Sequence, residues 1–199
     1  MAETVLDVEF QFVNGVRERF SIDSLEAARV LIDHLKSDKV FLGQSLIVSE
    51  QNCLAAYRTT AIVRIDISGP GTPKWPYMRG AKSVTEVTEE HFESALNDGV
   101  LTKERVLASQ QPGLRQEGFT VLHLITGQRI IWDVVTASTE MVAIDATQAA
   151  RQLLNSPSLH ADRIDGGLML INVAHVTRLA FYPGPPKKSD ISTLSATRR

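Results

Sequence analysis

The sequence predicts an α+β protein: two duplicated β-β-α-β-β units with an αα-hairpin connector, in a pseudo-two-fold arrangement. Three observations predict it. Residues 23–32, Asp-Ser-Leu-Glu-Ala-Ala-Arg-Val-Leu-Ile, return at 145–154 as Asp-Ala-Thr-Gln-Ala-Ala-Arg-Gln-Leu-Leu. Each block follows a strand–turn–strand pattern, around Asn14-Gly15 and Thr126-Gly127. Each precedes a strand bearing an arginine, in Val63-Arg64-Ile65 and Thr177-Arg178-Leu179. The divisions are 1–68 for the first unit, 69–117 for a Pro/Gly linker and helical hairpin, 118–183 for the second unit and 184–199 for a basic Pro/Ser-rich tail.

In the first unit Val8, Phe10 and Phe12 alternate with Glu9 and Gln11, the period of a half-buried strand. Asn14-Gly15 suits a two-residue type I′ turn, and Val16 to Ile22 returns. Asp23 is placed to cap a helix, with Glu26 at N3. Leu25, Ala28, Leu31, Ile32 and Leu35 recur at helical spacing and form its apolar stripe, ending near Lys36. Leu46 to Val48 and Ala61 to Ile67 read as two more strands. The second unit repeats this order. Phe119 to Ile125 and Gln128 to Val135 form the hairpin, and Trp132 takes the place of Phe20. Residues 141–144 lengthen that hairpin or add a strand. Asp145 caps the helix with Gln148 at N3, and Ala149, Ala150, Leu153 and Leu154 face the core. Pro157 closes the helix, Asp165-Gly166-Gly167 turns the chain, and Leu168 to Ile171 and His175 to Phe181 supply the last strands.

Between the units, Gly69-Pro70-Gly71-Thr72-Pro73 breaks the composition. Thr88 reads as the cap of a short helix, with Val87 and Phe92 as a hydrophobic staple, ending at Asn97-Asp98-Gly99. Thr102 starts a second helix, with Leu101 and Val106 as its staple, stopping before Pro112-Gly113.

At 199 residues, with 43% hydrophobic and 22% charged residues, the chain has enough apolar side chains for a packed core. Its net charge of −2 gives no general attraction to nucleic acid or membrane. The N-terminus lacks a basic, apolar leader pattern, no apolar run reaches spanning length, and the lone Cys53 suits a reducing compartment; a cytoplasmic protein is expected.

No catalytic constellation emerges. His34, His91, His123 and His160 are scattered, and no second His or Cys stands at metal-ligand spacing from His175, so neither metal nor cofactor is expected. Asp133 and Asp145 could approach across the second hairpin, but Asp145 already has a capping role. Asp162 and Asp165 flank a turn, where aspartate is common for backbone reasons. Cys53 reads as a small buried apolar residue. Gly69-Pro70-Gly71 introduces no helix that would hold a phosphate. Arg29 and Arg151, like Arg64 and Arg178, recur at matching places; each is expected to cover a helix or sheet edge and meet a carboxylate such as Asp23 or Asp145.

The binding candidates are the residues that one half alone carries: Trp75, Tyr77 and Arg79 in the connector, and Asn172 and His175 before the last strand. Large aromatics beside prolines either glue the halves together or form a hot spot, and gluing is favoured. The leading function is a non-catalytic interaction or assembly subunit, homo-oligomeric or bound to a protein partner, with no membrane role. The alternative is a nucleic-acid-binding regulator using 86–110 or the basic tail. Lys103 and Arg105 would read the phosphates, but Glu104, Glu86, Glu89, Glu90 and Glu93 would repel them. The third reading is a hydrolase or small-ligand binder around His175, Asn172 and Asp133.

Overall fold

A computed structural model describes residues 4–36, 40–42, 45–50, 53–77, 81–99, 116–136 and 146–182. They hold eleven strands and three α-helices, a mixed α+β architecture dominated by sheet. In chain order these are β1 (Leu6–Phe12), β2 (Arg17–Ile22), α1 (Leu25–Leu35), β3 (Ser45–Glu50), β4 (Cys53–Arg58), β5 (Ile62–Ser68) and β6 (Ala81–Glu86). Then come α2 (Glu89–Asn97), β7 (Gln116–Leu124), β8 (Arg129–Thr136), α3 (Ala146–Asn155), β9 (Ser158–Asp162), β10 (Leu168–Asn172) and β11 (Val176–Tyr182). Single 3₁₀ turns, Thr59–Ala61 and Val173–His175, lead into β5 and β11.

Nine strands make one sheet in the order β11-β7-β8-β6-β9-β10-β5-β1-β2, and β3 and β4 pair with each other in a second sheet. All the nine-strand pairings are antiparallel except β6 with β9, which meet in parallel at Thr85 and Asp162. Side chains alternate between the two faces of a strand, so the sheet carries separate cores on its two sides. Val8, Phe10, Ile65, Ile67, Leu168 and Leu170 gather with Ala28 and Leu35 of α1 on one side. Met169, Ile171, Leu159, Ala161, Leu122, Ile130 and Trp132 gather with Leu153 of α3 on the other. Phe92 of α2 packs with Val121 and Ile131 in a third cluster, with Val87 against it as the staple reading requires. Trp132 is fully buried and donates its indole N–H to the Met169 sulfur at 3.4 Å.

The hairpins differ from expectation in a way the glycines explain. Phe12 and Val16 close the β1–β2 loop through Phe12 N–H to Val16 O at 2.9 Å, leaving three residues in the loop. Only Gly15 has positive φ, +83°, and Asn14 does not, so the type I′ expectation is corrected: a type I turn ends in a left-handed glycine bulge. Leu124 N–H to Gln128 O and Gly127 at +85° build β7–β8 the same way. The β9–β10 turn has the same bonds, Arg163 N–H to Gly167 O and Gly166 N–H to Arg163 O.

Several other readings are corrected. Ser24, not Asp23, caps α1, its hydroxyl accepting from the Ala27 N–H at 3.3 Å; helices start where the backbone leaves the extended region, one residue later than the pattern suggested. Leu25 and Leu154 are exposed, so the apolar stripes of α1 and α3 are narrower than expected. Three strands were not anticipated. β4 and β9 complete the hairpins, and β6 lies mid-sheet although Ala-Lys-Ser-Val-Thr-Glu has little strand character of its own. Cys53 is exposed rather than buried, because it begins β4 in the two-stranded sheet. Thr88 does cap α2, accepting from His91 N–H at 3.2 Å. Asp145, the helix expected from Thr102, residues 137–145 and the tail lie outside the described residues. Among the described residues no helix is long and apolar enough to cross a membrane.

Candidate functional site

The predicted binding residues fall into two places. Arg79 lies outside the described residues. Trp75 and Tyr77, in the chain leading to β6, both settle on His160 of β9. Trp75 meets the imidazole edge-on at 5.7 Å between centroids, and Tyr77 stacks on it at 6.1 Å. Trp75 also packs against the α1-side core, and the Tyr77 hydroxyl donates to Asp162. Burial, then the Asp162 carboxylate, push the Tyr77 phenol up to about 12. Burial holds the His160 imidazole below its ordinary value, against the opposing pull of a hydrogen bond to the Pro76 backbone and of Asp162. A neutral ring inside an aromatic clasp is what this surrounding favours. The aromatics join the chain before β6 to β9.

Asn172 and His175 lie at the other place, the seam where β10 joins β5. Asn172 is buried and works twice: its amide donates to Ile62 O at 2.9 Å and its carbonyl oxygen accepts from Ala174 N–H at 3.1 Å. The His175 ring sits at the surface with Nε2 2.8 Å from Thr60 O. Both side chains therefore fasten the turn before β11 to the turn before β5, and Asp133 stands apart from them on β8, opposite Phe119 and Thr85.

A third constellation was missed. Arg64 and Asp66 sit in the middle of the sheet, 4% and 5% exposed. Arg64 Nε is 2.6 Å from Asp66, and Arg64 Nη1 is 3.2 Å from Glu86 of β6. Gln11 donates to the other Asp66 oxygen at 3.2 Å, and Arg163 Nη1 comes within 3.8 Å of it. Burial alone would lower the Arg64 value; Asp66 and Glu86 reverse that and raise it. Arg64 thus crosses the sheet interior instead of covering an edge, and its partners are Asp66 and Glu86 rather than Asp23. The signal was present: Ile-Val-Arg-Ile-Asp-Ile places opposite charges two apart in an apolar strand, hence on one face. Arg178 is exposed, with its guanidinium 3.5 Å from the His123 ring.

Chemically these groups are committed to one another. Among the described residues no group of three or more His, Cys, Asp or Glu side chains is placed to hold a metal ion. The main chain, by contrast, has outer strand edges that no described strand pairs with. β2 and β11 are the outer strands of the large sheet, and β3 and β4 pair only with each other among the described residues. An open groove of about 1350 Å³ runs between β2, β3 and α1, floored by Phe10, Phe20, Val30 and Leu31. Leu54 and Ile47, 71% and 66% exposed, point away from the core on the β3–β4 hairpin. Comparison of the chain with protein-family models, curated proteins and solved structures returned no match.

Proposed function

We propose that this chain is a non-catalytic interaction or assembly subunit of the cytoplasm, built on a duplicated α+β unit. The observation that carries the proposal is the set of open strand edges beside exposed apolar side chains, Leu54 and Ile47 above all. Unpaired strand edges are templates for another strand, and natural sheets blunt them unless they are used. Duplication is supported by matching bonds. Val13 N–H to Ala61 O in the first half has its counterpart in Ile125 N–H to His175 O in the second. The β1–β5 bulge between Gln11 and Phe12, beside Arg64, has its counterpart in the β7–β11 bulge beside Arg178. Gly15 and Gly127 share one turn geometry.

Sedimentation velocity of the purified chain over a range of concentrations tests the proposal, with and without residues 184–199. Self-association or a stoichiometric protein partner is expected. A monomer at every concentration, with no partner and no change on removing the tail, would count against it.

A further inference from the structure

The two halves follow one element order, two strands, a helix, two strands, a 3₁₀ turn and a strand, yet their second hairpins end in different places. β9–β10 is built into the large sheet, with β10 antiparallel to β5. β3–β4 stands as a sheet of its own, and β11, which matches β5, is an outer strand. Among the described residues the first hairpin has no β5-like strand to join, and the last strand has no β10-like strand to receive. We propose that a second copy of this chain supplies each, with β4 of one protomer adding antiparallel to β11 of its partner. This rests on reading the two halves as copies, and it names the partner that the assembly role leaves open.

The internal seam sets the register. At β10–β5, Leu168 lies opposite Ile67 and Leu170 opposite Ile65. The corresponding pairs between protomers are Leu54 opposite Phe181 and Ala56 opposite Leu179. Burial agrees with this. Leu168 and Leu170 are 1% and 2% exposed, and Ile65 and Ile67 are fully buried. Their counterparts are wet: Leu54 is 71% exposed, and Leu179 and Phe181 sit only partly buried at the margin of the α3-side core. The opposite face of the hairpin, with Leu46, Val48 and Tyr57, already packs on its own half, as Leu159, Ala161 and Ile171 do on theirs. The hairpin therefore presents the face that β10 uses in the intramolecular seam.

The fastenings differ, which bears on strength. Asn172 ties β10 to β5 and His175 ties the turn after β10 to the turn before β5, whereas the matching positions are Arg58 and Ala61. A joint between protomers has fewer fixed tethers and dissociates more readily than the internal one. Because β4 and β11 are different surfaces, each protomer gives one hairpin and takes one. Such head-to-tail contacts close into a ring or run on as a filament.

Single-cysteine protomers test this directly, in a Cys53→Ser background. One carries Ala55→Cys and the other Ala180→Cys, positions that the register sets opposite each other. Mixed and mildly oxidised, they are expected to cross-link at least tenfold faster than Ala55→Cys mixed with Thr177→Cys. Leu54→Lys, at a site exposed in the protomer, is expected to weaken self-association at least tenfold in sedimentation without changing the thermal unfolding of the protomer. Leu25→Lys, on the exposed side of α1, is expected to leave association unchanged. Association that persists without the in-register cross-link, and that ignores Leu54→Lys, would overturn strand addition while leaving the assembly role standing. A chain that stays monomeric and has no protein partner would overturn both.

Discussion

Asp66→Asn, Arg64→Met and their combination form a double-mutant cycle whose outcome follows from the buried cluster. Both side chains are about 5% exposed, so water does little to screen the pair. Removing one member of a buried ion pair costs about 3–5 kcal/mol, because the other charge is left in a poor solvent. Asp66→Asn leaves Arg64 with Glu86 at 3.2 Å, which places the loss near the lower end, about 3 kcal/mol. Arg64→Met leaves Asp66 with the Gln11 amide at 3.2 Å and Arg163 at 3.8 Å, again about 3 kcal/mol. The double variant buries neither charge, and Glu86 is exposed enough to turn to water. Its cost is expected to be about 3 kcal/mol rather than the additive figure of about 6 kcal/mol, a coupling of about 3 kcal/mol. Urea unfolding followed by far-ultraviolet circular dichroism, at one protein concentration and with a common slope, measures all four corners. Additivity within about 0.5 kcal/mol, or single losses below about 1 kcal/mol, would refute the claim that this pair is buried and mutually dependent.

Asn172→Ala removes a donor to Ile62 O and a cap on Ala174 N–H, so a loss of about 2 kcal/mol is expected in the same urea assay; a loss below about 0.5 kcal/mol would show that the seam does not depend on it. Gly127→Ala forces a left-handed backbone with open space around the new methyl and should cost about 1–2 kcal/mol. Gly167→Ala would set its Cβ 2.5 Å from Ile67 O and should cost about 1–3 kcal/mol more by driving β10 from β5; equal melting temperatures would contradict that. A spectroscopic titration should show a tyrosine ionising at about 12, and Tyr77→Phe should abolish that late step. Since the folded value exceeds the unfolded one, Tyr77 contributes stability below pH 10 that is lost as pH rises through about 12. For His160 the sign is opposite. Its folded value lies below 6.5, so its contribution is present above that pH and is lost as pH falls through the folded value. His160→Gln should reduce the drop in urea midpoint between pH 7.5 and pH 5; an unchanged drop would remove His160 as its source.

What was legible in the sequence is what local rules decide. The period-2 pattern of Val8 and Phe10, the Thr88 cap with its Val87–Phe92 staple, and glycine turns at 15, 127 and 166 follow from residues close in sequence. What was not legible depends on neighbours distant in sequence. β6 is a strand because β8 and β9 flank it, not because of its own residues. His160 entered the sequence reading only as one scattered histidine, and only the approach of Trp75 and Tyr77 turns it into a clasp. Asn172 was singled out as a binding residue for being peculiar to one half. Its amide instead bonds the backbone of β5, and among the described residues its hairpin is the one joined to the large sheet.

Arg64 and Arg178 show how far position in the sheet overrides likeness in sequence. Both precede an aliphatic residue on the last strand of a half, and both lie beside a bulge. Arg64 is walled in by β1 and β10, and a guanidinium shut away from water requires anionic partners; Asp66 and Glu86 provide them. Arg178 lies on an outer strand, reaches solvent, and has Ala180 where Arg64 has Asp66. A strand laid against β11 must therefore leave the Arg178 head a path to water, since no carboxylate stands two residues on to receive it. Tyr57, the residue that the seam register puts opposite Arg178, carries no charge, and its ring is already packed against Phe10, Phe12 and Phe20, so a partner strand in this register covers the arginine stem while its head stays wet. Arg178→Ala should then weaken association modestly and without strong salt dependence. A steep salt dependence would mean that a partner carboxylate, such as Glu18 beside the Tyr57 hydroxyl, meets this arginine and that its head does not stay wet.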